Sequence, residues 1–267
     1  MLENLMSTLE LAHRLWAARL SGGIVDPASV TLPGTIEEAY AIQSEIVRIS
    51  GHRVCGFKVG STSVGAQRLL GTNEPGSGAL LVPFVHDAPA TIALSDAHMP
   101  ALEGEFAFRL ARPLPPRAED YDREEVASAI GAIAGAIEVV GTRFAGGLPG
   151  KGRLLTTADG GVNVAMVLGP WSSDWRHWDL PGHAVSMTVN DEMKGQGTGA
   201  RALGDPMNVL TWLANQQSRF GRGLDAGAIV TTGTCTGLDP VRVGDRATAD
   251  FGQLGTVAIM FTAMTDE

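Results

Sequence analysis

The sequence predicts an α+β fold, a β-rich body over residues 53–267 preceded by a helical region over residues 1–52, and three observations carry that prediction. Apolar residues recur at helical spacing in the N-terminal region. From residue 53 the chain breaks into short runs of strand-forming residues parted by glycine-rich turns. Strands then outnumber helices, without the regular strand–helix alternation of a doubly wound parallel sheet.

The first helix is predicted from Leu5, Leu9, Ala12, Leu15 or Trp16, and Leu20, and "SGG" at 21–23 ends it. A second starts at Thr35, where Thr35 and Glu38 have capping-box spacing and Ala39, Ile42, Ile46 and Val47 share a face. Strand-like runs follow in "VCGFKVGST", "GALLVPF", "ATIAL", "ALEGEFAFRL" and "GAIAGAIEVV". Residues 112–122 and 141–161 show little periodicity, and loops this long inside a domain are usually functional. Further on, "NVAMVLGP" and "AVSMTVNDEMKGQG" read as strands and "DPMNVLTWLANQQSRFG" as a helix with Asp205 at its N-cap and Pro206 at N1. "AIVTTGT" and "RATADFGQLGTVAIMF" read as the two last strands.

Composition narrows the function. The chain has 267 residues, a formal net charge of −9 and no basic run, so a groove that tracks nucleic-acid phosphates is not expected. Its two cysteines, Cys55 and Cys235, form no CxxC pair, which argues against a zinc ribbon or a disulfide framework. The N-terminal stretch lacks the pattern of a signal peptide and no apolar run approaches the ~18 residues of a membrane span, so a cytoplasmic protein without membrane association is expected. The 34 glycines show no repeat and point to tight turns and close backbone approaches.

The chemistry-bearing residues concentrate in four places. Glu103 and Glu105 lie two apart on a predicted strand, hence on one face roughly 7 Å apart. They are either a solvated edge or two ligands of a cation, and Gly104 between them marks a place where another segment approaches. Glu138 sits in an apolar run, where a carboxylate needs a cation or an ion pair, to Arg143 or to a lysine. Three carboxylates from two strands would suit a hard cation such as Mg²⁺. Lys58, flanked by Phe57 and Val59, is either turned inward to hold a carboxylate or snorkelling at a sheet edge. Asp159 in "TTADGG" reads most simply as a turn former. "GQGTGA" at 195–200 falls short of a dinucleotide fingerprint, His177 and His183 read as surface residues, and Cys235 reads as a buried thiol.

In order and spacing, "AYAIQ" (39–43), "GFKVGSTS", the Glu103/Glu105 pair, "AIEVV", "ADGG" with "VLG", "ALGDPMNVLTWLAN" and "ADFGQLGTVAIMF" are distinctive. Through them the chain resembles the 2-keto-4-pentenoate hydratase and 4-oxalocrotonate decarboxylase family of the fumarylacetoacetate hydrolase superfamily, from about residue 10 to residue 263. The resemblance implies a mixed β-roll catalytic domain and a Mg²⁺ or Mn²⁺ ion held by Glu103, Glu105 and Glu138. It also implies Lys58 and Asp159 as catalytic residues, and Ser61, Thr62, Ser63, Asn163 and Thr234 beside the substrate. The implied reaction is hydration of a 2-hydroxydienoate or 2-oxoalkenoate through an enolate, with decarboxylation or carbon–carbon hydrolysis of a related 2-oxo acid as the alternative. A non-catalytic partner subunit is the reading from a different class. A homo-oligomer is expected, with a pathway enzyme as a further candidate partner.

Two departures from the family pattern bear on the reaction. Glu74-Pro75-Gly76-Ser77-Gly78 stands where the hydratases have Gln-Pro-Asp-Phe-Gly, so the acidic residue is missing. Gly160, Gly161, Val162 and Asn163 stand where they have Asn-Ala-Ser-Ser. The loops at 112–121 and 143–160 are expected to set the substrate's length and substituents.

Overall fold

The computed structural model describes residues 2–264. Met1 and residues 265–267, the two ends of the predicted regions, lie outside the described residues. In chain order the elements begin with α1 (Leu2–Ser21), α2 (Ile36–Ser50), β1 (Val54–Gly60), α3 (Val64–Leu70), β2 (Gly76–Leu81), β3 (Val85–Asp87), β4 (Ala90–Leu94) and β5 (Ala101–Leu110). Then come α4 (Arg123–Ala129), β6 (Ile130–Val140), α5 (Gly152–Ala158), β7 (Asn163–Leu168), β8 (Ala184–Val189) and β9 (Glu192–Thr198). The chain closes with α6 (Pro206–Arg219), β10 (Ile229–Thr231), β11 (Asp239–Pro240), β12 (Arg246–Asp250) and β13 (Thr256–Ala263).

An eight-stranded sheet runs β2-β1-β10-β5-β6-β7-β3, with β11 pairing onto β5, and a five-stranded sheet runs β4-β13-β12-β8-β9. Most neighbours are antiparallel, but β1–β10, β3–β7 and β4–β13 are parallel, so both sheets are mixed. The larger sheet curls strongly. Lys58 registers with Thr231, Thr231 with Ala107, and Glu103 with Glu138. In a flat sheet, three strand spacings and four residues along β5 would hold Lys58 and Glu138 about 20 Å apart. Their side chains nevertheless meet at 3.0 Å, which only a concave sheet permits. This is the curled, half-barrel sheet of the expected β-roll.

The two faces of β5 explain where the core and the site lie. Leu102, Phe106, Phe108 and Leu110 alternate onto the convex face, where α6 and the smaller sheet bury them in the main apolar cluster. Ala107 belongs to a small cluster on the opposite face with Leu80, Ala134, Ala136 and Met166, and Glu103 and Glu105 share that face. Gly104 points the other way, and there a Cβ would stand 3.0 Å from Thr236 Cγ2. The absent side chain lets residues 235–236 run close behind the glutamates, where Cys235 N donates to Gly104 O at 2.7 Å and Gly104 N to Thr236 Oγ1 at 3.0 Å.

The N-terminal helices are docked against the β body: Leu11, Leu15, Ala39 and Ile42 share one apolar cluster with Phe144 and Ala158. Thr35 does cap α2, accepting from Glu38 N, but Glu38 reaches Gly34 N, so only half of the predicted capping box forms. Asp205 caps α6 as expected. Several expectations are corrected. Residues 64–70, 123–129 and 152–158 are helices of seven residues, too short to show a period. "AVSMTVNDEMKGQG" is a hairpin, β8–β9, because Asn190 and Asp191 both take positive φ (52° and 66°) as a tight hairpin turn requires. "RATADFGQLGTVAIMF" is likewise two strands, β12 and β13. His183 is half-buried, stacked on Trp178 and bonded to Phe251 O. Among the described residues, no helix is long and apolar enough to cross a membrane.

Candidate metal centre

Glu103 and Glu138 are direct cross-strand partners on β5 and β6, and Glu105 is the next residue on the same face of β5. Each offers a carboxylate oxygen within 4.8 Å of the others. Glu105 and Glu138 are fully buried. Lys58 arrives from β1, 4% exposed, with Nζ 3.0 Å from Glu138 Oε2 and donating to Gly161 O at 3.0 Å. Asn163 Nδ2 donates to Glu138 Oε1 at 2.9 Å. Lys58 is therefore turned inward, and Glu138 has the lysine, rather than Arg143, as its ion-pair partner.

One ammonium cannot balance three carboxylates. Burial raises the Glu103 carboxyl to about 7, although Lys58 pulls it back down and Glu138 adds to the rise. Burial, then Glu138 and Glu103, hold Glu105 well above the usual carboxylate range. Burial pulls the Lys58 ammonium down, but Glu138, Glu103 and Glu105 together outweigh it and keep it protonated. Both oxygens of Glu105 lack hydrogen-bond partners, and Oε2 of Glu138 faces only the Lys58 ammonium. Orphaned buried acceptors with surplus negative charge are what a hard cation satisfies. Oxygen ligands at about 2.0–2.6 Å from one ion also stand no more than ~5 Å apart. The donor set fits Mg²⁺.

Glu103 and Lys58 line a cavity of about 350 Å³, within the range of small-ligand sites. Its walls are mostly apolar: Leu69 and Leu70 of α3, Met99, Val140, Leu148 and Leu238. Arg153 and Ser61 supply polar groups. Gln43 of α2 ties two wall segments together, donating to Ser77 O at 3.2 Å and Thr157 O at 2.9 Å.

The other sequence-predicted site residues are placed differently. Ser61 lines the cavity with its backbone at φ 58°. Ser63 caps α3, its hydroxyl accepting from Ala66 N. Thr62 is buried against Gly233. Asn163 supports Glu138 from beneath, and Thr234 spends its hydroxyl on its own turn with Thr236 N, Gly237 N and Gly237 O. Asp159 is buried and fully engaged. Oδ1 accepts from Arg143 Nε at 2.6 Å, Oδ2 accepts from Arg143 N and Thr142 Oγ1 at 2.9 Å, and Arg143 Nη2 reaches its carbonyl. Cys235 is buried, with burial and then Glu105 pushing its thiol up, so it stays an unreactive thiol. The loop at 112–121 packs on Leu224 and Ser218, whereas α3, unread in the sequence, forms part of the cavity wall.

Comparison with known proteins sets this geometry in context. Residues 62–261 match the family described as fumarylacetoacetate (FAA) hydrolase C-terminal. The chain is 35% identical over 256 residues to a 2-keto-4-pentenoate hydratase of Paraburkholderia xenovorans, covering 94% of each chain. It is 33% identical over 261 residues to a 2-keto-4-pentenoate hydratase of Burkholderia vietnamiensis, covering 96% of this chain and 98% of the other. Among solved structures it superposes on a 4-oxalocrotonate decarboxylase of Pseudomonas putida G7, complexed with magnesium and adipate, with a TM-score of 0.85. That match has 26% identity and covers 95% of this chain and 97% of the other.

Proposed function

The chain belongs to the fumarylacetoacetate hydrolase superfamily, on the branch of 2-keto-4-pentenoate hydratases and 4-oxalocrotonate decarboxylases, and we propose that it is a divalent-metal-dependent lyase of small 2-oxoalkenoates. The observation that carries this reading is the meeting of three carboxylates and one lysine beside an apolar cavity. Glu103, Glu105 and Glu138 would hold Mg²⁺, or Mn²⁺ with the same donor preference, and the bound ion supplies Lewis-acid stabilisation of negative charge developing on a substrate oxygen.

The chain's own residues orient the substrate and limit access to water. An ammonium has three N–H donors; Glu138 and Gly161 O take two of Lys58's, and the third is free for the substrate carboxylate at the cavity end. Because the glutamates keep Lys58 protonated, it serves as a cationic donor rather than as a base. Leu70, Val140, Leu148 and Val162 give the hydrocarbon part of the substrate an apolar wall, which leaves the polar end as the place where a proton or a water is delivered. Asp159, locked to Arg143, positions the 141–161 segment and does not transfer protons in this reading.

Hydration is the first assignment. Decarboxylation is favoured as the second by Gly76, which removes the acidic side chain from the cavity wall, and by the similarity to the decarboxylase structure. We assign the helical region before β1 to support of the cavity, through Gln43. A cytoplasmic location and a homo-oligomeric state belong to this proposal as well. The test is to supply the chelator-treated protein with Mg²⁺ and either 2-hydroxypenta-2,4-dienoate or 2-oxohex-3-enedioate. Metal-dependent loss of the diene without CO₂ supports hydration, and CO₂ release supports decarboxylation. Absence of metal-dependent turnover on either compound rejects the assignment.

A further inference from the structure

β7 begins with an irregular step beside Glu138. Along β6 and β7, Glu138 pairs with Met166 and Val139 with Ala165, but Val140 pairs with Asn163, so Val164 is the extra residue of a β-bulge. In an unbroken ladder Asn163 would fall opposite Gly141, and a slip of one residue turns a side chain to the other face of the sheet. The bulge therefore brings Asn163 onto the face of Glu138, where its Nδ2 donates to Glu138 Oε1 at 2.9 Å.

A side chain of the N-terminal region holds this bulge. Arg19, in the last turn of α1 and 144 residues from Asn163, lays the two arms of its guanidinium on consecutive carbonyls. Nη1 donates to Asn163 O at 2.5 Å and Nη2 to Val164 O at 2.7 Å. Arg143 Nη1 donates to the same Asn163 O at 2.9 Å, but its charge is already paired with Asp159 at 2.6 Å. Among the described residues no carboxylate pairs with Arg19, which lies over the Phe84 ring at 3.9 Å and leaves Nε buried without a partner. Burial, then the Arg143 charge, pull the Arg19 guanidinium down to about 9, so it is held here at a cost. A planar fork matches two adjacent acceptors in a way that an ammonium does not, and these two acceptors frame the residue that supports Glu138.

We infer that Arg19 is a positioning residue of the metal centre: by pinning the bulge at Asn163–Val164 it fixes the Asn163 amide on Glu138, and so makes metal affinity depend on α1. This rests on the metal-dependent reading above and adds to it the device by which the N-terminal helix sets the site.

The test is calorimetric Mg²⁺ binding to the chelator-treated protein, with thermal unfolding recorded for each variant. Arg19→Met is expected to weaken Mg²⁺ binding about tenfold or more, the loss that follows when the support of a metal ligand is removed. By charge alone, removing one cation would tighten the binding of another, so the direction of the change separates positioning from electrostatics. Because Arg19 acts through Asn163, the double variant Arg19→Met/Asn163→Ala should bind Mg²⁺ no more weakly than Asn163→Ala. Arg19→Lys, which keeps the charge without the fork, should fall between wild type and Arg19→Met, and it carries the test if the methionine variant does not fold. Leu11→Ala loosens the packing of α1 away from the bulge, so it should lower the unfolding temperature and leave Mg²⁺ affinity within about twofold of wild type. Wild-type Mg²⁺ affinity in Arg19→Met, or in Arg19→Lys where the methionine variant does not fold, overturns the inference. Additive losses in the double variant, or an equal loss in Leu11→Ala, also overturn it. Absence of Mg²⁺ binding by wild type overturns the metal-dependent reading, and this inference with it.

Discussion

Replacing Glu105 by glutamine keeps the shape of a fully buried side chain and removes one negative charge from a site that holds three carboxylates against one lysine. Carboxylates within 4.8 Å of each other repel by about 3–4 kcal/mol per pair at an effective dielectric constant of about 20. In the metal-free protein near neutral pH part of this is already relieved by proton uptake, since Glu105 titrates well above its usual range. A net gain of about 1–3 kcal/mol is therefore expected for metal-free Glu105→Gln, or roughly 2–4 °C in Tm per kcal/mol for a domain of this size. The sign of the pH dependence follows. Glu103 and Glu105 bind protons more tightly folded than unfolded, so metal-free wild type loses stability as pH rises from 4.5 through about 7, and the variant's advantage widens over that interval. With Mg²⁺ the order reverses. The metal-induced rise in Tm should nearly vanish in the variant, together with turnover. Thermal unfolding in chelator between pH 4.5 and 8.5, and in Mg²⁺ at the upper end of that range, reads both effects. A variant that is less stable without metal, yet still gains stability from Mg²⁺ as wild type does, would refute the assignment of Glu105 as a ligand.

Three further outcomes follow from the same geometry. Lys58→Met leaves Glu138 buried without its cation and should cost the metal-free protein about 3–5 kcal/mol in urea unfolding, with loss of activity even where Mg²⁺ restores the fold. Asn163→Ala removes the hydrogen bond to Glu138 Oε1 and a longer one to Ala165 O, so Mg²⁺ affinity measured by calorimetry should fall about 10–100-fold while stability changes by about 1–2 kcal/mol. Asp159→Asn strips Arg143 of its buried partner and should destabilise the fold by about 3–5 kcal/mol while Mg²⁺ affinity is retained; a stable, metal-binding but inactive variant would instead make Asp159 a catalytic residue.

Much of the site was legible because it lies on strands. A period of two puts Glu103 and Glu105 on one face whatever the surroundings, and Gly104 between them signalled the close passage of residues 235–236. Glu138 stood out by contrast with its apolar neighbours, and Asp205–Pro206 marked a helix start by local capping chemistry. The short helices and hairpins were harder. Seven residues of α3 are two turns with no period to read, and Asn190–Asp191 makes a turn without the glycine that usually announces one.

By itself the sequence determined the α+β class, the strand that carries the paired glutamates, and the acidic residue types from which a cation site is made, because these depend on local periodicity and side-chain chemistry. The tertiary structure decided which groups meet. Curling of the large sheet carries Lys58 across three strands to Glu138, and the absent side chain at Gly76 opens the space that Arg153 fills from 77 residues further along the chain. Those pairings are set by sheet curvature and excluded volume, and neither is encoded in the spacing of residues along the chain.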